Sequence, residues 1–307
     1  MYKLSLAVVL LFAGISQLEA QDSISNPSYG KKFIVIAGTH VVLWSGAYVL
    51  LNEAWYADYP RRSFHFFNDN SEWSQMDKAG HVWTTYHVSR LSTEMWKWTG
   101  LPLKKSVLLG SLSGMAYQSI IEIQDGFSTE WGFSWGDMAS NGVGAAAFAV
   151  QELTWKEQRI QVKLSYWEHD YPAELLPRKQ QLFGKGLSER ILKDYNSQTY
   201  WLSVNLKSFM TQSQLPRWLN VSLGYSSDLM VGGRENLWVD KNGTLQDYGN
   251  VQRIRRFYLA PDLDLTKIKT RSKLIRGLFF ALGSVKFPAP ALELNSKGKI
   301  RFHGIYF

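Results

Sequence analysis

Gln158-Arg159-Ile160-Gln161-Val162-Lys163-Leu164-Ser165-Tyr166-Trp167 marks a change of character in the chain. Ile160, Val162, Leu164 and Tyr166 alternate with Gln161, Lys163 and Ser165, the period-two pattern of a strand with two unlike faces. After it, β-rich stretches recur at 198–206, 218–226, 254–265 and 299–307, separated by polar turns such as Asp240-Lys241-Asn242-Gly243. A helix over 267–282 interrupts them before Pro288 and Pro290. Before it, long apolar stretches predict helices over 33–52, 74–98, 105–124 and 134–151, with Gly100 and Pro102 ending the second. The predicted fold is therefore α+β. A four-helix, membrane-associated bundle at 33–152 precedes a β-rich domain at 156–307.

The N-terminus reads as a secretory signal peptide over residues 1–20. Lys3 is its positive start, Leu4 to Ile15 its apolar run, and Ala20 the small residue before a cut at Gln21. An uncleaved anchor helix is the alternative. The chain has no cysteine, which excludes disulfides, thiolate metal sites and an acylated cysteine. Residues 33–52 carry no Asp, Glu, Lys or Arg. Twenty helical residues at about 1.5 Å each can span a bilayer. A buried core helix would show the same composition.

The net charge is +8. In an exported protein that balance points to anionic lipid or an envelope polymer as partner, or to ordinary solvated lysines. No nucleic-acid motif accompanies the charge, so nucleic acid is not an expected partner.

Three polar motifs lie inside the apolar half. They are Asp77-Lys78-Ala79-Gly80-His81, Glu122-Ile123-Gln124-Asp125-Gly126, and Gly132-Phe133-Ser134-Trp135-Gly136-Asp137 running on to Asn141. Burying charge is costly unless it is paired or used. Asp77 and His81 share a helix face, as do Asp137 and Asn141. Gly110, Gly114, Gln118 and Glu122 recur every four residues, a small-residue stripe that lets a neighbouring helix approach. Short connections favour antiparallel neighbours, which would gather the three motifs at one end of a bundle.

Each residue also has a plain structural reading. Ser74 with Asp77 fits a helix N-cap, Asp137 gains from a helix dipole, and Lys78 neutralises an acid. The acids outnumber the bases, so the set calls for a cation, raised pKa values or water. A divalent metal ion is the candidate cofactor, with Asp77, His81, Glu122, Asp125 and Asp137 as candidate ligands. Ser134 sits in a G-x-S-x-G frame, but that elbow needs a strand before the serine, and the surroundings are helical.

These motifs, in this order, resemble the YfiM-like family, a domain-of-unknown-function family of predicted periplasmic lipoproteins. More distantly they are similar to VanZ-like membrane proteins. The resemblance covers about residues 33–152 and implies a small helical, membrane-linked envelope domain, without implying a reaction. The chain departs from the lipoprotein pattern in lacking a cysteine. The expected location is the periplasmic side of an envelope membrane, with the outer membrane as the sharper assignment. The expected function is a non-enzymatic binding or structural role at a membrane surface. The rival is a metal-assisted hydrolase or transferase acting on an envelope lipid or glycan.

Overall fold

The computed structural model describes residues 27–56, 59–240 and 242–307. The expected signal peptide, residues 1–20, lies outside the described residues. The fold is mixed helix and sheet, as the α+β reading requires. The helices are α1 (Pro27–Leu51), α2 (Met76–Trp98), α3 (Leu103–Asp125), α4 (Trp135–Thr154), α5 (Leu176–Phe183), α6 (Leu187–Lys193), α7 (Leu206–Phe209) and α8 (Lys273–Leu282). The strands are β1 (Ile160–Tyr166), β2 (Gln198–Asn205), β3 (Leu219–Asp228), β4 (Leu237–Val239), β5 (Leu245–Asp247), β6 (Ile254–Leu263), β7 (Ala289–Asn295) and β8 (Ile300–Tyr306). The chain divides into two compact units that interleave along the sequence.

Among the described residues, the first unit takes in the chain from Pro27 to Phe67, Thr85–Phe133 and Ala145–Thr154. Its core is Ile36, Trp96, Leu101 and Leu109, with Phe33, Ala37 and Met95 packed against them. His40 stacks on Trp96 at 5.3 Å between ring centroids and bonds Ser92 Oγ through Nε2 at 3.1 Å. The small-residue stripe does what its spacing suggests. A Cβ on Gly110 would stand 2.0 Å from Thr93 Oγ1 and 2.6 Å from the Thr93 backbone nitrogen. One on Gly114 would stand 2.4 Å from Ser89 Oγ. Only glycine lets the α2 and α3 backbones come this close. Phe64, Phe66, Phe127 and Phe133 form an aromatic cluster, pinned by backbone pairing such as Phe67 N to Phe133 O.

The second unit joins Asn68–Thr84 and Ser134–Gly144 to everything from Trp155 onward. Its sheet is an antiparallel meander in the order β1-β2-β3-β6-β7-β8, with the β4-β5 hairpin inserted between β3 and β6. β1, β2, β3, β6 and β8 fall where alternation places them. β7 was missed because Pro288 and Pro290 look like breakers. Pro290 lies at the irregularity in register between Ala289 and Ala291, one of the few sheet positions that tolerate a missing N–H. Helices α5 and α6 were also missed, being short and polar. The helix expected from residue 267 begins at Lys273, where Ser272 Oγ caps it by accepting from Ile275 N.

The first turns of α2 are seated within this unit. Met76 packs with Tyr200 and Met230 in a fully buried cluster that Trp73, Ala79 and Trp83 flank. Trp83 Nε1 donates to Ser284 O at 3.1 Å. The N-cap expected at Ser74 is not formed. Trp73, Ser74 and Gln75 instead take three consecutive left-handed conformations, with φ of 47°, 52° and 62°. Such residues are strained. Tertiary bonds hold them: Trp73 N to Gly233 O at 2.7 Å and Tyr225 Oη to Ser74 O at 2.6 Å.

Candidate functional site

The second unit gathers five of the seven expected residues: Asp77, Lys78, His81, Asp137 and Asn141. It adds Asp69, which sequence reasoning passed over. Asp77, Lys78 and His81 come from the first turns of α2, and Asp137 and Asn141 from the first turns of α4. Ser134 starts α4 as its cap, its Oγ accepting from Asp137 N at 3.1 Å. The same hydroxyl donates to Asp69 Oδ1 at 2.6 Å. The serine of the G-x-S-x-G frame is therefore a cap and a clamp. Gly136 follows because a Cβ there would fall 2.0 Å from Asn70 Oδ1 and 3.0 Å from Lys78 Cε.

Lys78 is the centre of the cluster. Its Nζ lies 2.7 Å from Asp69 Oδ1, 3.0 Å from Asp77 Oδ2 and 2.8 Å from Asp137 Oδ1. The three acids also offer oxygens that all lie within 4.8 Å of one another, a spacing a metal ion could use. The residue types suit a hard, oxygen-preferring cation such as Mg or Ca. In this arrangement the Lys78 ammonium already supplies the positive charge.

The titration of the cluster follows from its burial. Desolvation, the bond with Asp69 and the charge of Asp77 push the Asp137 carboxyl up to about 8, against the pull of Lys78. Burial also works against the Asp69 charge, but bonds with Asp137, Lys78 and Ser134 outweigh it and hold Asp69 below its usual range. The two shifts are opposed, so the site favours the ionised form of Asp69 and the protonated form of Asp137. Burial raises Asp77, with Lys78 partly opposing; its Oδ1 is buried and has no hydrogen-bond partner among the described residues. Desolvation opposes the Lys78 charge, yet Asp77 and Asp137 hold it above the usual lysine value.

Burial lowers His81 to about 4, against the bond from Asn141, and the nearby Lys78 lowers it further. The imidazole is neutral at pH 7. Its Nδ1 bonds Asn141 Oδ1 at 3.0 Å. The amide oxygen can only accept, so the proton sits on Nδ1. Nε2 is then an acceptor, 3.6 Å from Asp137 Oδ1.

Glu122 and Asp125 belong to the other unit. Glu122 is fully buried on α3. Asp125 ends that helix, where its Oδ1 accepts from Tyr56 Oη at 2.6 Å. Tyr56 also lines a cleft of about 260 Å³ with Asn52, Tyr59, Arg61 and Gln124. Asp69 was missed because Asn68-Asp69-Asn70 reads as turn punctuation, the residue types that bond their own backbone in loops. The only signal available was its position eight residues before Asp77.

The sequence profile of a family described as a predicted periplasmic lipoprotein (DUF2279) matches residues 65–153. That span contains all seven expected residues and Asp69. No curated protein and no solved structure matches the chain. The profile's description and the apolar helix near the N-terminus together locate the protein on the periplasmic side of the cell envelope.

Proposed function

We propose that this envelope protein has a non-enzymatic, structural or lipid-binding role at a membrane surface. In this reading residues 33–152 supply a membrane-associated helical part of YfiM-like and VanZ-like character, and residues 156–307 supply the sheet. The observation that carries it is helix α1. Gly30–Leu51 has a mean hydropathy of 1.8, and only 17% of its most apolar window is buried. Ile34 and Val42 are each more than 70% exposed, a display of aliphatic surface that water disfavours and hydrocarbon accepts.

The polar cluster supports the non-enzymatic half of the reading. A hydrolytic metal centre needs an open position for water or substrate. Here a lysine ammonium stands among the three carboxylates, so the cluster works as an internal ion network. The rival, a metal-assisted hydrolase or transferase, draws on one specific observation: a carboxylic acid held near pH 8 beside a neutral imidazole is a usable acid–base pair. Two measurements on the full chain decide between them. Flotation with lipid vesicles and no stoichiometric metal in the purified protein are expected. Tightly bound metal together with loss of flotation would overturn the reading.

A further inference from the structure

The six-stranded sheet is inverted relative to one in a water-soluble domain. Its enclosed face is mostly polar, around a small buried cluster of Trp201, Tyr258, Ala260 and Ala291. Lys163 and Asp262 are both fully buried and pair at 2.8 Å. Ser203 and Ser222 donate to the same carboxylate oxygen at 2.6 and 3.1 Å. The sheet curls enough that Thr199 of β2 meets Tyr306 of β8, with the two hydroxyls 3.1 Å apart, although the two strands are not neighbours in the sheet.

The opposite face is apolar; Met76 and Met230 cover it where Leu164, Tyr200 and Tyr225 stand, and it is open across the rest of the sheet. The register lines up Val162, Leu202, Leu223, Leu259, Leu292 and Phe302 in one row across all six strands. From Leu202 onward every member is exposed, up to 57% for Leu223 and 70% for Phe302. A second row runs through Tyr225, Phe257, Leu294 and Ile300, and the last three of these are exposed as well. Alternation decides this arrangement: with a period of two, a strand whose Lys, Ser and Asp face inward must send its Leu and Phe outward. Polar inside and apolar outside is the distribution of a sheet in contact with lipid.

Charge around the sheet fits the same occupant. Between β6 and β7, residues 267–276 hold Lys267, Lys269, Arg271, Lys273 and Arg276 and no acid. They lead into α8, whose Leu274 is 83% exposed and which buries none of its residues. A short helix with aliphatic side chains in the open and a basic approach suits the boundary between acyl chains and anionic headgroups. The β7-β8 turn adds exposed Lys297 and Lys299 at the other end of the same strands.

We propose that the outer face of this sheet, together with α8, lies against the acyl chains of an anionic lipid bilayer, with the basic segments at the headgroups. The inference rests on the membrane-surface reading above and deepens it, since α1 alone would satisfy that reading. The chain has no cysteine, so single cysteines can be introduced without a background. Leu223→Cys, Phe302→Cys, Val42→Cys on α1 and Thr244→Cys in the exposed β4-β5 turn would each carry an environment-sensitive fluorophore. Each full-length variant is mixed with vesicles of equal parts phosphatidylglycerol and phosphatidylcholine bearing nitroxides on their acyl chains. The Leu223 and Phe302 labels are expected to lose more than half their emission, and the Thr244 label almost none. Vesicles of phosphatidylcholine alone should reduce that loss.

Flotation with quenching at Val42 but not at Leu223 or Phe302 would overturn the inference and leave the membrane reading standing. No flotation at all would overturn both. Leu223 cysteines that cross-link between copies while escaping quenching would assign the face to self-association and overturn the lipid assignment.

Discussion

Lys78 Nζ lies 2.8 Å from Asp137 Oδ1, although the two residues stand 59 positions apart and on different helices. The contact ties the start of α2 to the start of α4 within the sheet-bearing unit. Its physical consequence is an obligation: each acid around Lys78 tolerates burial because the ammonium is there.

Replacing Lys78 by Met keeps the volume and removes the charge. The variant should lose about 3–5 kcal/mol of stability, the usual cost of stranding a buried ionic partner. Urea unfolding followed by tryptophan fluorescence at pH 7 would measure it. A loss under about 1 kcal/mol would show that the acids are solvated and that the network is not structural.

Lys78→Ala makes the complementary test. It opens space between three carboxylates whose oxygens already lie within a metal's reach. Millimolar calcium or magnesium should then raise the melting temperature of the variant through mass action on the folded state, and leave the wild type unchanged. A rise in the wild type that Asp77→Asn abolishes would favour the metal-centre rival.

The pH dependence follows from two opposed shifts. Asp137 is held above the usual carboxyl value, so its contribution is complete below about pH 4 and is lost as pH rises through about 8. His81 is held below the usual imidazole value, so its contribution is present above about 6.5 and is lost as pH falls through about 4. The two slopes oppose each other from about pH 4 to 6.5, and each is at most about 1.4 kcal/mol per unit. Their combined contribution should be nearly flat there and fall between about 6.5 and 8. Asp137→Asn should remove the fall and leave stability rising with pH up to about 6.5. His81→Gln should make stability decline throughout. Denaturation midpoints at half-unit pH steps would resolve the three profiles, and identical profiles would refute the shifts.

The α2–α3 approach gives a packing test. Gly110→Ala places a methyl where Thr93 backbone and side chain already stand, so the helices must separate, at roughly 1–3 kcal/mol. Gly142→Ala, in α4 with nothing within 4 Å of the added carbon, should be neutral or stabilising by up to about 1 kcal/mol. Equal effects at both positions would mean that the close approach is not maintained in solution.

Local pattern was enough for much of this protein. The α+β class, the helices around the three motifs, five strands of the meander and the glycine stripe were legible, because period and small-residue spacing are local properties that burial rewards directly. The proximity of Asp77, Lys78 and His81 was legible too, since one helix carries them. Tertiary structure alone decided the rest. Asp69 joined the cluster through a loop whose composition looks like any turn. Which face of the sheet is enclosed is the sharpest case. The alternation of Lys163, Ser203 and Asp262 with leucines marks two faces in the sequence, yet it cannot say which one faces inward. The curl of the sheet chose the polar side, because Lys163 and Asp262 can satisfy each other there, and that choice left the leucines outside.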